Sequence, residues 1–267
     1  MNRIIFLGTG AGDEGMLLQL IRTSCIYCEL DGVKFLIDPG PGTLVNLKEN
    51  NINIFDLNGM LISHPHPDHY TDANAILTTF INETGKFLVA EETCLKGNQD
   101  FFPCVSKFHQ AHTSKVFPMK ADDSVEVSGL KITAIESKHY SPCTAFVIEG
   151  TKKISYVADG IYTEEDCKKF ENSDIMILNT YIPFESEGAA EYYFMKKHGV
   201  LHMSVEDAIE IIKVAKPKLA VIQHYNTKFL AAGTEKQAEI IEKASGIKIV
   251  AAKDSMKINL EKLRVEK

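Results

Sequence analysis

Short apolar runs bounded by Gly, Asp and Pro open the chain. RIIFLG (3–8), CIYCEL (25–30) and VKFLID (33–38) each predict a β-strand, and DGVK between the last two predicts a hairpin. GTLVNLKEN, after a Gly-Pro-Gly, predicts a short helix, and LNGMLISH predicts a buried strand that ends at histidines. A second run of strands follows at about 125–137, 143–149 and 153–158. TEEDCKKF then predicts a helix with Thr163 as N-cap, DIMILNT a buried strand, SVEDAIEIIKVA a helix and LAVIQH a strand. The helix over 204–215 has its start marked by Ser204 as N-cap, with Asp207 three residues on, and its stop marked by Pro217. TEKQAEIIEKA predicts another amphipathic helix, and IKIVAAKDSMKINL two closing strands. No repeat of fixed period and no low-complexity linker interrupts this order. Two strand-rich halves of similar rhythm, each with helices on its outer side, predict an α/β fold: a four-layer sandwich over 1–267 as one domain.

Composition narrows the partners. With 267 residues, 45% hydrophobic and 24% charged, the chain can bury a sizeable core and is not disordered. A net charge of -7 and a pI near 5.7 lack the basic footprint of a dedicated nucleic-acid binder. The apolar run Ile4 to Leu7 is too short for a signal peptide and no later segment reaches membrane-span length, so a cytoplasmic location is expected, with no membrane partner. Six cysteines without a secretory signal are expected to be free thiols. Cys25 and Cys28 form a C-x-x-C, a spacing that can bind zinc, but in a strand positions three apart face opposite ways, so they are read as core.

The candidate chemistry sits in ISHPHPDHYTDA (62–73). Two histidines at i and i+2 of an extended segment project to one side, so His64 and His66 can grip one ion while Pro65 and Pro67 keep the backbone out of helix. After Pro67 the chain can turn into a helix, leaving Asp68 and His69 near its N-terminus, where the carboxylate is met by backbone N–H groups or a second cation. Alone, the stretch lacks the ligands for two ions, since zinc takes about four.

H-x-H-x-D-H at the end of a strand resembles the metallo-β-lactamase superfamily, and FLGTGAG and FLIDPGPGT resemble its branch of tRNA 3′-processing endonucleases (tRNase Z) and related phosphodiesterases. The resemblance covers nearly the whole chain and implies the αββα fold and two bound metal ions. It also asks for three further ligands, which ITAIESKH supplies in His139, KKISYVAD in Asp159 and KLAVIQH in His224. It thus implies His64, His66 and His139 on one ion, Asp68, His69 and His224 on the other, and Asp159 between them. Zn is expected, with Mn and Fe also suited to such ligands. Metals of this kind lower the pKa of bound water from about 16 towards 7, giving a bridging hydroxide as nucleophile and charge for the nonbridging oxygens of a phosphodiester. Asp68 could also orient or deprotonate that water. His202, in GVLHMSVED, is placed by the resemblance like the histidine that helps protonate the leaving group; otherwise it is a packed residue near a helix cap. His109 and His112 are read as loop residues and His198 as solvent-exposed.

Four departures bear on substrate. Pro67 stands where Gly often precedes the Asp, Pro41 fills an acidic slot, QHYNTKF lacks the family's Arg-Tyr ending, and only 20 positions separate His139 from Asp159. The tRNA-binding arm of many bacterial forms is inserted in that gap, so this chain is expected to be armless. A small phosphodiester or cyclic nucleotide is therefore the expected substrate, with nucleic acid not favoured and a homodimer compatible with the sequence. The alternatives are the tRNA endonuclease, a thioester or lactone hydrolase, and a non-catalytic metal-binding subunit.

Overall fold

In the strand Arg3–Gly8 (β1), Ile4 and Phe6 enter one apolar cluster while Ile5 and Leu7 enter another, all of them buried. This alternation repeats along Cys25–Leu30 (β2), Val33–Ile37 (β3), Gly59–Ile62 (β4) and Phe87–Glu91 (β5). Phe35, Leu61 and Phe87 face the first cluster; Leu36, Met60 and Leu88 face the second. A sheet apolar on both faces must be covered on both. One face packs on a second sheet and the other on helices such as Thr43–Glu49 and Ala73–Leu77, whose Leu47, Ile76 and Leu77 complete the second cluster.

The chain is a computed structural model that describes residues 2–184 and 201–266. Lys115–Met119 (β6) ends the first run of strands. The second sheet holds Ser124–Val127 (β7), Leu130–Ser137 (β8), Cys143–Glu149 (β9), Lys153–Val157 (β10), Ile175–Ile182 (β11), the two-residue Met203–Ser204 (β12), Leu219–Gln223 (β13) and Ile249–Ala251 (β14). The chain then returns to the first sheet as Met256–Asn259 (β15) and Arg264–Val265 (β16). The strand orders are β16-β15-β1-β2-β3-β4-β5-β6 and β14-β13-β11-β10-β9-β8-β7, with β12 on β11. With helices on both outer faces this is the αββα sandwich of the metallo-β-lactamase fold, as the sequence predicts.

Each sheet is half antiparallel and half parallel. β3, β4, β5 and β6 pair in parallel in one, and β10, β11, β13 and β14 in the other. The carboxyl ends of such strands are where α/β folds open a crevice. The helices behind the second sheet begin where the sequence marks them: Thr163 and Ser204 each close a capping box, with Asp166 and Asp207. The helix Val205–Ala215 ends on Lys216 in the left-handed region, just before Pro217.

Three features differ from the pattern-based reading. The two closing strands join different sheets, because the turn after β14 carries the chain across to β1. β5 and β6 lie outside the predicted segments: β5 is five residues long and runs straight into a helix, and β6 is a half-exposed edge strand containing Pro118, as an edge tolerates. The helix Gly12–Leu18 is likewise unforeseen, lacking a polar N-cap side chain. Cys25 and Cys28 fall in opposite clusters, burial pushes both thiols well up, and all six cysteines are free. Among the described residues no helix is long and apolar enough to cross a membrane. His198 lies outside the described residues.

Candidate metal centre

Strand ends deliver every candidate side chain. Ser63 and His64 follow β4, His139 follows β8, Asp159 follows β10 and His224 follows β13. Asp68 and His69 sit in the one-turn helix Pro67–Tyr70, which has Pro67 in its first turn and His66 as its cap. Asp38 and His224 both have left-handed backbone, φ 50° and 68°, so each strand breaks sharply and throws its side chain into the crevice. The loop after Asp38 packs so closely under the motif that a Cβ on Gly40 would lie 2.1 Å from the Asp68 carbonyl oxygen, which only glycine avoids.

The histidine tautomers follow from their outer partners. His64 Nδ1 donates to Ser63 Oγ at 2.9 Å, because that hydroxyl gives its own proton to Asp38 Oδ2 at 2.6 Å. His69 Nδ1 donates to Asp38 Oδ2 at 2.9 Å and His139 Nδ1 to the Leu201 carbonyl at 2.7 Å. The Nε2 atoms of all three face inward, and those of the neutral His64 and His139 are thereby left as lone pairs. His66 Nδ1 lies 3.1 Å from both His64 Nε2 and His139 Nε2. Three imidazole nitrogens at that spacing fit a cation, since two ligands about 2.05 Å from a tetrahedral zinc stand roughly 3.3 Å apart.

A second cluster adjoins it. His69 Nε2 is buried without a hydrogen-bond partner, 3.5 Å from Asp68 Oδ2 and 3.7 Å from Asp159 Oδ2. His224 Nε2 lies 3.1 Å from Asp159 Oδ2 and 3.8 Å from Asp68 Oδ2. Asp159 touches this group and also belongs with His139, so it stands between the two clusters. A buried nitrogen without a partner, ringed by two carboxylates and a second imidazole, fits a second ion. Among the described residues His64, His66 and His139, and Asp68, His69 and His224, are thus groups that could each hold an ion; Asp38 with His64 and His69, and His139 with Asp159 and His202, also converge. Asp68 is met by the Gly12 N–H at 2.9 Å, not by the N-terminus of its own helix.

Charges in this cavity are strongly displaced. Burial pushes His64, His66 and His139 down, aided at His64 by the charge on His69. Burial also opposes charge on His69, yet Asp68, Asp159 and Asp38 together hold it well above the usual histidine range. For Asp68 and Asp159 burial raises the carboxyl, but the neighbouring imidazoles outweigh it and keep both far below the carboxylate range. An anionic pocket clasping one imidazolium is a site with a proton standing in for a cation.

Sequence reasoning missed the shell that holds these ligands. Asp38, 1% exposed, accepts from the Ser63 N–H at 2.7 Å, the Ser63 hydroxyl, His69 and the Tyr156 hydroxyl at 2.5 Å, so one carboxylate from the first sheet serves both clusters. Asn179, after four residues of β11, donates to Asp159 Oδ1 at 2.8 Å and to Tyr156 at 3.0 Å, and accepts from Gln223 at 2.8 Å. The available signal was polar residues inside otherwise apolar strand ends, FLID, MILN and VIQ. His202 Nδ1 is 3.5 Å from Asp159 Oδ2 at the rim, and burial pushes its imidazole down to about 3. His109 lies in the short helix Lys107–Gln110, bonded to Ser106, and neither it nor His112 joins a ligand group among the described residues.

Residues 34–225 match the family described as Beta-lactamase superfamily domain. An uncharacterized protein of Methanocaldococcus jannaschii is 29% identical over 267 residues, covering 96% of this chain and 94% of that one. Ribonuclease Z of Metallosphaera sedula is 25% identical over 153 residues, 56% of this chain, which spans about half (49%) of that enzyme. Among solved structures, the metallo-β-lactamase fold protein YhfI from Bacillus subtilis superposes with a TM-score of 0.74 at 18% identity, over 96% of this chain and 98% of that one.

Proposed function

Since this chain belongs to the metallo-β-lactamase superfamily of metal-dependent hydrolases, we propose that it is a dinuclear-metal phosphodiesterase acting on a small phosphodiester or cyclic nucleotide. His64, His66 and His139 would hold one ion, Asp68, His69 and His224 the other, and Asp159 stands within reach of both. Two divalent ions would supply an ionised water near neutral pH and positive charge for the nonbridging oxygens. Asp68, its Oδ2 fixed by Gly12, is placed to orient that water.

One observation carries the choice of reaction: His202 stands beside Asp159, in a group with it and His139, yet lies outside the seven ligands that the family resemblance implies. A departing alkoxide needs a proton or a strong hydrogen bond, whereas a thiolate leaves unaided, so a spare imidazole suits an oxygen ester. Burial keeps His202 neutral, so its ring N–H can donate a hydrogen bond to the leaving oxygen, which takes up a solvent proton as it departs. Small substrates are favoured by the gap between His139 and Asp159. It holds only the antiparallel hairpin of β9 and β10, with no inserted arm to grasp a polyanion.

The test is hydrolysis by metal-loaded protein of a nitrophenyl phosphodiester, a nucleoside 2′,3′-cyclic phosphate, a thioester and a lactone, run side by side. Turnover confined to the thioester or lactone refutes the reading. The relationship to ribonuclease Z supports a second reading, the endonuclease. Efficient cleavage of precursor tRNA at its 3′ side, weakening steeply with salt, would select it.

A further inference from the structure

Among the described residues no hydrogen bond fixes the His202 ring. Its Nδ1 is buried and unpartnered, and Asp159 Oδ2 at 3.5 Å is too far for a good bond. Imidazole torsion is broad, so packing must set the plane of this ring. Among the described residues, three aromatic rings neighbour it. His139 meets it edge-on at 4.8 Å and 77°, and Tyr140 stands 6.3 Å away at 56°. Tyr181 alone lies face to face with it, with centroids 4.2 Å apart and planes 21° from parallel.

The backbone is built to make that stack. β12 starts at Met203, the residue after His202, and pairs with β11 so that Thr180 faces Met203 and Ile182 faces Ser204. Two residues of β11 advance against one of β12, which leaves Tyr181 as the extra residue of a bulge. Bulges re-aim a side chain, and this one sits beside the metal-ligand clusters. The far end of Tyr181 abuts the loop that serves Asp68: a Cβ on Gly12 would lie 3.0 Å from the Tyr181 hydroxyl oxygen, while the Gly12 N–H donates to Asp68. Tyr181 is thus lodged between the Gly12 turn and the His202 imidazole.

We propose that Tyr181 is the positioning residue for His202, its stacked face setting the imidazole plane from which a proton or hydrogen bond reaches the leaving oxygen. The kinetic part rests on the phosphodiesterase reading; the structural part does not. Three variants separate the contributions: Tyr181→Phe keeps the stacked face without the hydroxyl, Tyr181→Leu keeps bulk without the face, and Tyr181→Leu combined with His202→Ala tests coupling.

On an unactivated alkyl diester, Tyr181→Leu should lower kcat by roughly 10- to 100-fold, the cost of misplacing a reacting group by about an ångström, with KM little changed. Tyr181→Phe should match wild type, and the double variant should be no slower than His202→Ala alone. In metal-free protein the ring-proton resonances of His202 should move when Tyr181→Leu removes the ring current, while those of His64 stay. Metal content should be equal in all variants. Full additivity with His202→Ala, equal losses in the Phe and Leu variants, loss of metal, or unmoved His202 resonances each overturn the assignment. If wild type hydrolyses no diester, the functional reading fails separately, and the metal-free spectra alone decide the positioning role.

Discussion

Asp38→Asn should uncouple the metal centre from the fold while barely changing shape. Four donors converge on the buried Asp38 carboxylate: the Ser63 N–H on Oδ1, and the Ser63 hydroxyl, His69 Nδ1 and the Tyr156 hydroxyl on Oδ2. Asparagine tolerates the left-handed backbone there, φ 50°, so little strain is added. Its carbonyl can face the three donors on the Oδ2 side, but then its NH2 confronts the Ser63 N–H. That leaves two buried donors unsatisfied, the Ser63 N–H and the new amide, at about 1–3 kcal/mol each. The three remaining bonds lose their charge-assisted character, about 1 kcal/mol each. Together the loss is on the order of 5–9 kcal/mol, a large share of the roughly 5–15 kcal/mol that holds a native protein.

For a chain of this size that corresponds to a fall in Tm of roughly 10 °C or more for the metal-free protein. His69 keeps only a neutral carbonyl in place of the carboxylate that fixes its tautomer, so affinity at the Asp68–His69–His224 site should drop about 10- to 100-fold. Thermal unfolding followed by circular dichroism, and zinc titration against a chelating indicator, measure the two effects. A variant with unchanged Tm and two ions bound at wild-type affinity refutes the claim that Asp38 organises the centre.

Four further outcomes are expected. Reconstituted protein should carry about two divalent ions, and Asp159→Ala at least one fewer by elemental analysis, because that carboxylate faces both clusters. His202→Ala should retain its ions yet lose roughly 100-fold or more in kcat on an alkyl diester and much less on a nitrophenyl diester, whose leaving group needs little protonation; equal losses on both exclude a role at the leaving oxygen. Because His69 is held well above the usual range by its carboxylates, it is protonated in metal-free protein, and its contribution to stability is full below about pH 6.5 and fades as pH rises through the raised value. Zinc binding must expel that proton, so calorimetry in buffers of different ionisation enthalpy should show proton release, and none at neutral pH contradicts the charge state. Cys25→Ala combined with Cys28→Ala should lower Tm through lost packing in two clusters while leaving the metal content unchanged.

What could be seen in the sequence, and what could not, divides along a physical line. Strand periodicity was readable because a sheet covered on both faces makes long apolar runs, and capping boxes were readable because they close over three residues, as at Thr163 and Ser204. β6 gave little signal, since an edge strand keeps only one apolar side and even accepts Pro118. The assignment of the last two strands to different sheets depends on the partners they meet, not on their own composition.

At the metal centre the same division holds. His64, His66, Asp68 and His69 are legible because one turn of chain holds them together, and His139, Asp159 and His224 because each ends an apolar strand. Asp38, Asn179 and Gln223 carry no such local mark, for their partners lie far away in the chain: Tyr156 reaches Asp38 across 118 positions and Gln223 reaches Asn179 across 44. Their hydrogen bonds tie the carboxyl ends of β3, β10, β11 and β13 into one buried network whose terminal acceptors are Asp38 and Asp159. Buried acceptors of that kind are satisfied only when both sheets are docked, so the ligands cannot be oriented before the sandwich closes. A change in this network therefore acts on folding and metal affinity together. A change at Tyr181 or His202, at the rim, should act on turnover with the ions still in place.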